Sequence, residues 1–395
     1  MSTDHLPMHV LMVLESAFPA NRGGGAESQV RTLAKAMRSR HQRVTVLTPL
    51  TPLGPQQRVS RVDGVPVVRL PYPRVRLLGG PWLWLRTAAF LWSRRHRYGV
   101  WHVHIAHYLG AVCALLGPWF QVPVVVKVSG WWELDRGTLA EHSSPLARLA
   151  YRSLLRVDAW QSISQRIAGA LRSRGVPASR IAPIPNAVDT ARFSTLKRST
   201  SNLGARFVFV GRLVPEKGLE TLIDAFALLL RDYPDAYLRV VGVGPLLAAL
   251  RQQTQDHGID QHVEFAGHRD DVEIMLSDAD FGVLPSHIEG LSNTLLECMA
   301  SGLPMLASRV SGSEDIVRDD VNGWLFEPGD CDGLVHALRA ASALTPDARN
   351  AMGERARDSV ERHAGLDSVL DRLMCLYRTG AVSELPVTAT PNRSA

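Results

Sequence analysis

Cysteine is scarce: Cys113, Cys298, Cys331 and Cys375 stand far apart in 395 residues, with no CxxC pair. That spacing excludes a disulfide framework and a cysteine zinc site, and it fits a reducing compartment. Long apolar runs are missing too. Tyr108 to Val128 is mostly apolar, but Gly117, Pro118, Gln121, Pro123 and Lys127 interrupt it. A spanning helix needs about 20 predominantly apolar residues, so a buried helix followed by a buried strand is expected instead. Met1 to Met8 is polar, and the run after it enters Glu15, which does not read as a secretion signal. Zinc-finger spacing, a basic zipper and RNP-like aromatics are absent, so nucleic acid is not an expected partner. No repeat at a solenoid period is present. Acidic residues are few in the first half. Up to Arg180, 24 Lys and Arg face 8 Asp and Glu, a balance of +16, whereas the remainder carries 20 against 30, or −10. An anionic partner is expected on the first half, with a solvated basic surface as the alternative. The expected location is cytoplasmic, peripheral on the inner face of a membrane.

What is present is an α/β pattern long enough for two domains. Buried strands are expected at His9 to Ser16, Arg43 to Leu47, Val65 to Leu70, Trp101 to His107, Pro123 to Gly130 and Val157 to Ser164. Helical stretches alternate with them, which argues for a parallel sheet. Ser194 to Gly204 reads as a linker. A second set of strands follows at Arg206 to Gly211, Tyr237 to Gly242, Val263 to Gly267, Ala279 to Ser286 and Pro304 to Ser308. From Asp347 to about Arg378 the pattern is helical. The expected divisions are 1–195, 205–360, a C-terminal helix 361–379 packing back on the first domain, and a disordered tail 380–395. Between Leu77 and Trp101, Trp82, Trp84, Trp92 and Trp101 interleave with Arg86, Arg94, Arg95 and Arg97. Tryptophans on one side of a helix and arginines on the other would suit an anionic membrane surface, whereas Trp82, Leu85 and Ala89 at helical spacing would suit a core.

Candidate chemistry collects where strands end. Glu289-Gly290-Leu291-Ser292-Asn293 leads from a strand into a helix that carries Glu297. Backbone N–H groups at such a helix start favour a phosphate, and two flanking carboxylates accept hydrogen bonds from sugar hydroxyls. A sugar, a diphosphate and a ribose in one ligand have that shape. Gly211-Arg212 with Lys217-Gly218 places a guanidinium fork and a point charge after another strand, which forms a diphosphate clamp. Gly242-Val243-Gly244 is a tight turn. Gly24-Gly25-Ala26-Glu27 follows the first strand as a glycine-rich loop. His102, His104 and His107 alternate with no carboxylate or cysteine close by, so packing or acceptor contact is expected rather than a metal.

The Glu289/Glu297 pair, with seven residues between them, resembles the signature of retaining glycosyltransferases of family 4. The other motifs stand in that family's order: Gly24-Gly25-Ala26-Glu27, Asn186-Ala187-Val188-Asp189, Gly211-Arg212 with Lys217-Gly218, and then the pair itself. The resemblance implies a GT-B architecture, two Rossmann-like domains facing across a cleft. It implies transfer of a sugar from a nucleotide diphosphate sugar, UDP-linked in preference to GDP-linked, to a sugar or lipid-linked acceptor hydroxyl, with no cofactor and no metal. Arg212, Lys217 and Glu289 are the implied catalytic residues. Gly24, Gly25, Gly244, Gly267, His268, Arg269, Gly290, Leu291, Ser292, Asn293 and Glu297 are the implied donor contacts. Glu27, His104, Ser129 and Gly130 are candidates for the acceptor. Two positions depart from the pattern: Ser129 stands where many members carry a histidine, and Ala187 stands in a glycine position. A sugar-nucleotide epimerase of the same architecture and a non-catalytic binding protein are the alternatives.

Overall fold

The computed structural model describes residues 7–19, 24–52, 54–75, 78–140, 145–194 and 204–386. The alternation of strands and helices resolves into two compact units, Met1–Ala187 with Asp367–Ala395, and Val188–Leu366. The chain therefore leaves the first unit after Ala187 and returns to it at Asp367. The sequence pattern places these divisions at 195 and 360 instead, and its linker lies almost entirely outside the described residues.

The first unit holds eight strands: β1 (His9–Val13), β2 (Arg43–Pro49), β3 (Val59–Val62), β4 (Val65–Leu70), β5 (Val100–Val103), β6 (Val124–Val128), β7 (Ala159–Ser162) and β8 (Ile181–Pro183). Their order in the sheet is β3-β4-β2-β1-β5-β6-β7-β8, and every pair is parallel except β3 with β4. Strands such as Val124-Val-Val-Lys-Val128 are buried throughout, as a parallel sheet covered on both faces requires. β3 is not among the strands expected from sequence. Its signal is the Asp63-Gly64 turn, both residues at positive φ (49° and 76°), the geometry of a two-residue hairpin.

The second unit holds six strands: β9 (Arg206–Val210), β10 (Tyr237–Val241), β11 (Val263–Gly267), β12 (Phe281–Leu284), β13 (Met305–Ser308) and β14 (Gly323–Phe326). All are parallel, in the order β11-β10-β9-β12-β13-β14. Phe207, Phe209, Phe226, Phe281 and Trp324 lie in its core, with the Phe207 and Phe281 rings stacked at 5.4 Å.

Three expectations change. The helical run after Asp347 is two helices, Pro346–Ala364 and Leu366–Thr379. They break at Gly365, where Val188 N–H donates to Ala364 O and Leu366 N–H to Val188 O. The second helix buries Val369, Leu370, Leu373, Leu376 and Tyr377. The tail is partly ordered: Val382–Glu384 forms a 3-10 turn that packs on Ala178–Arg180, and residues 387–395 are not among those described. In the tryptophan-rich helix Gly79–Ser93 the buried face is Leu83, Thr87, Phe90 and Leu91. Trp82 and Leu85 are exposed, so they are not core. Nor are tryptophan and arginine segregated, because Arg86 lies over the Trp82 ring and Arg95 over the Trp92 ring.

Candidate active site

In the second unit β9 lies between β10 and β12, so the strand order reverses beside it. Ligands of open α/β sheets bind outside the carboxyl ends of the strands at such a switch point. The loops that leave β9 and β12 run there, and glycines hold them together. Gly218 sits at φ 62°, and a Cβ on it would lie 2.2 Å from Pro285 O. His287 N–H donates to Glu216 O at 2.9 Å. On the other side, a Cβ on Gly244 would lie 2.2 Å from Leu213 O, and Leu213 N–H donates to Val243 O at 3.1 Å.

This packing brings Lys217 to Glu289. Lys217 Nζ and Glu289 Oε1 form an ion pair, and Ser286 Oγ donates to the same carboxylate oxygen at 2.9 Å. Both side chains are mostly covered, 17% and 13% exposed, so the pair is less screened than a surface one. Arg212 is exposed on the same loop, and no carboxylate pairs with it among the described residues. Gly290, Leu291 and Ser292 lead into the helix Asn293–Ala300, with Ser292 extended at its N-cap. Ser311 Oγ donates to Gly290 O at 3.0 Å and fixes that approach.

Glu297 lies in the second turn of the helix. Burial pushes its carboxyl up to about 7, against the pull of the Arg192 charge. Gly267, at φ 70°, ends β11 and accepts from Gly242 N–H at 2.7 Å. His268 and Arg269 follow on the surface, facing Asp270 at 3.4 Å and Asp271 at 2.6 Å. Arg212 and Lys217, Gly244, Gly267 to Arg269 and Glu289 to Asn293 thus follow the carboxyl ends of β9, β10, β11 and β12, with Glu297 a helical turn further on.

The first unit has its own reversal, with β1 between β2 and β5. Gly24 and Gly25 begin the helix Gly25–Ser39 after β1, with Glu27 in its first turn. His104 follows β5 and is enclosed at 0% exposure, 4.1 Å from the His102 ring. Neither of its nitrogens has a hydrogen-bond partner among the described residues. Burial holds the ring well below its usual pKa, and the charges of His102 and Lys127 add to that. Its side chain is therefore not on a surface. Ser129 Oγ donates to His104 O, and Gly130 follows.

Two carboxylates organise this end of the first unit, and sequence reasoning does not find their roles. Glu133 is fully buried and accepts from Ala106 N–H at 2.6 Å, Ser129 N–H at 2.7 Å and Gly130 N–H at 2.8 Å. It ties the loop after β5 to the loop after β6. Burial pushes it up to about 8, against those three donors and the Lys127 charge. Glu15, just beyond β1, accepts from Leu109 N–H at 2.7 Å and is pushed up to about 7 by burial. Its only sequence signal is a lone acid closing an apolar strand.

Comparison with known proteins bears on both units. Residues 23–192 match the family model described as Glycosyltransferase Family 4, and residues 189–359 the one described as Glycosyl transferases group 1. A protein of Escherichia coli (strain K12) named WcaL, which its name assigns to colanic acid biosynthesis as a glycosyltransferase, is 32% identical over 237 residues. That match covers 58% of each chain, so the similarity spans less than two thirds of the relative. A protein of Mycobacterium tuberculosis (strain ATCC 25618 / H37Rv) named as a GDP-mannose-dependent alpha-(1-6)-phosphatidylinositol monomannoside mannosyltransferase is 26% identical, over 94% of this chain and 98% of its own. Among solved structures, Anabaena Alr3699/HepE in complex with UDP-glucose matches with a TM-score of 0.72 and 21% identity, over 93% of this chain and 98% of that one. A glycosyltransferase from Rickettsia africae ESF-5 matches with a TM-score of 0.78 and 15% identity, over 95% and 99%. The fold they share with this chain is the GT-B architecture.

Proposed function

Since the chain belongs to the family 4 glycosyltransferases, we propose that it moves a sugar from a nucleotide diphosphate sugar to an acceptor hydroxyl, with retained anomeric configuration and without a metal. The observation that carries this reading is the Lys217–Glu289 pair beside Arg212 at the β9/β12 switch point. Arg212 and Lys217 hold the diphosphate, as a fork and a point charge. Charge grows on the departing diphosphate as the bond to the sugar breaks, so these cations act most strongly on the transition state. Donor binding divides the resting ion pair: Lys217 turns to phosphate and Glu289 accepts from sugar hydroxyls. Glu289 is already engaged by Lys217 and Ser286, which favours orienting the sugar over acting as a nucleophile, and we assign no protein nucleophile.

Glu297 accepts from the ribose, the Leu291-Ser292-Asn293 backbone faces the phosphates, and Gly267, His268 and Arg269 lie along the base. Gly24, Gly25 and Gly244 complete the donor contacts, with Glu27, Ser129 and Gly130 serving the acceptor; His104, expected there from sequence, is enclosed at 0% exposure and takes no part. A UDP-sugar is the favoured donor. HepE, whose structure is titled as a complex with UDP-glucose, supports that choice, and the mannosyltransferase named for GDP-mannose makes GDP-mannose the competitor. Polysaccharide, lipopolysaccharide or glycolipid synthesis is the proposed setting. Thermal stabilisation by UDP-, GDP- and ADP-sugars tests the donor site. One nucleotide class is expected to stabilise the protein, and Lys217→Ala and Glu297→Ala are each expected to abolish the effect. No stabilisation by any of them would favour a non-catalytic binding protein.

An anionic membrane surface is the proposed partner of the first unit. Trp82, Leu85, Trp92, Leu115 and Trp119 are exposed on the helices Gly79–Ser93 and Tyr108–Phe120, which pack on each other, and Arg86 and Arg95 lie over two of the tryptophans. Aromatic rings with cations suit the headgroup level. Among the described residues no helix is long and apolar enough to cross a membrane. Flotation with phosphatidylglycerol vesicles is expected at low salt and reduced at high salt; protein left in solution at both would sink the idea.

A further inference from the structure

At the amino ends of β1, β2 and β5, away from the catalytic loops, the first unit has an open groove of about 930 Å³. Its charged lining is Arg38, Arg43, Arg61, Arg97, His9 and His96, and among the described residues no Asp or Glu lines it. None of the four arginines forms an ion pair among the described residues. Arg61 donates to Gly64 O at 2.8 Å, and the nearby hairpin acid, Asp63, is engaged by Arg31 at 2.6 Å. The floor is polar and built: His9 Nε2 lies 3.0 Å from Thr45 Oγ1, and its ring meets Tyr98 edge-on at 4.6 Å. Thr45 and Tyr98 are 5% and 6% exposed.

The second unit supplies the contrast. Its smaller pocket, also at the amino ends of strands, is lined by Arg206 and Arg239 together with Asp278. Arg239 is paired with Glu264 at 2.6 Å and Asp278 at 3.6 Å, and Arg206 faces Asp280 at 3.4 Å. One unit neutralises the cations at this edge and the other leaves them uncompensated, although like charges held together repel. An anion bound in the groove removes that repulsion, and guanidinium forks match phosphate oxygens in pairs.

We propose that this groove binds a multiply charged phosphate group, at a site separate from the diphosphate clamp of the second unit. The phosphate comes either from a soluble phosphate ester or from a lipid headgroup. Burial, with the charges of Arg97 and Arg43, holds His9 down at about 4. Arg38, Arg61 and His96 share the groove with it. A phosphate among these cations offsets their charge and lets His9 gain its proton at higher pH.

The test uses the full chain with the clamp silenced by Arg212→Ala and Lys217→Ala, and sodium pyrophosphate as the probe at fixed ionic strength. Calorimetric binding is expected to persist in that background, and adding Arg43→Gln with Arg97→Gln is expected to weaken it by about tenfold or more. In the wild-type chain, the NMR titration of His9 is expected to move to higher pH when pyrophosphate is added, which needs no variant. Displacement of pyrophosphate by vesicles containing phosphatidic acid, whose headgroup is a phosphomonoester, and not by glycerol 3-phosphate names a headgroup; the reverse names a soluble ester, and each supports the site. Loss of pyrophosphate binding in the clamp-silenced chain, binding unchanged by the two glutamines, or a His9 titration that does not move overturns the proposal. The failure of the donor reading is a separate outcome, because it is read from nucleotide sugars and residues of the second unit.

Discussion

At the residue scale the Lys217–Glu289 pair makes the sharpest demand. Lys217→Ala removes a cation aimed at the leaving diphosphate and leaves Glu289 mostly covered and without its countercharge. A loss of about 100- to 1,000-fold in kcat is expected, by analogy with deletion of one transition-state donor, and steady-state transfer assays measure it. Glu297 makes a prediction about pH. Its carboxyl is raised from the usual 4.5 to about 7, so the stability this group contributes is present below about 4.5 and is lost as pH rises through about 7. Nucleotide binding runs the other way, because the ionised carboxylate is the better acceptor for ribose hydroxyls. Affinity for the nucleotide is expected to rise through pH 7 and then level off, and Glu297→Gln is expected to flatten the profile. These residues are legible in the sequence because each stands beside a glycine or a helix start, at a spacing that marks a strand's end. Glu133 is not, since its three N–H partners come from two loops separated by more than twenty residues and only the folded sheet brings them to one carboxylate.

At the element scale, the site depends on loops that touch backbone to backbone. Gly218→Ala puts a side chain at positive φ and against Pro285 O, and should cost about 1–3 kcal/mol in urea unfolding, with the Lys217–Glu289 pair displaced. Gly169 is the opposite case. It sits inside the helix Gln165–Ser173, and an added Cβ there would meet nothing within 4 Å, so Gly169→Ala should stabilise by about 0.5–1 kcal/mol. A gain for Gly218→Ala, or a loss for Gly169→Ala, would contradict this reading of the backbone. Strand positions are readable from apolar runs bounded by glycine and proline. The orientation of Gly79–Ser93 is not, because that helix carries large apolar residues on every side and periodicity alone does not choose the buried face.

At the scale of the whole molecule, the first unit is built from both ends of the chain. Tyr377 OH lies 2.6 Å from His102 Nδ1, the Arg372 side chain donates to Pro183 O, and Arg40 pairs with Asp367 and Asp371. A chain stopped after Leu366 is expected to lose cooperative unfolding of the first unit, read by near-ultraviolet circular dichroism, while the second unit keeps its own transition. An unchanged first transition would refute it. The sequence shows a helical end without the break at Gly365, because the Val188 backbone that interrupts the run lies far away along the chain.

That same arrangement governs how the protein is made. The helix Leu366–Thr379 leaves the ribosome only after the whole second unit, about 180 residues beyond Ala187. At about 5–20 residues per second, the first unit waits on the order of ten to forty seconds with the surface around His102 uncovered. During synthesis, a helix that emerges after the whole second unit becomes the lid on the first.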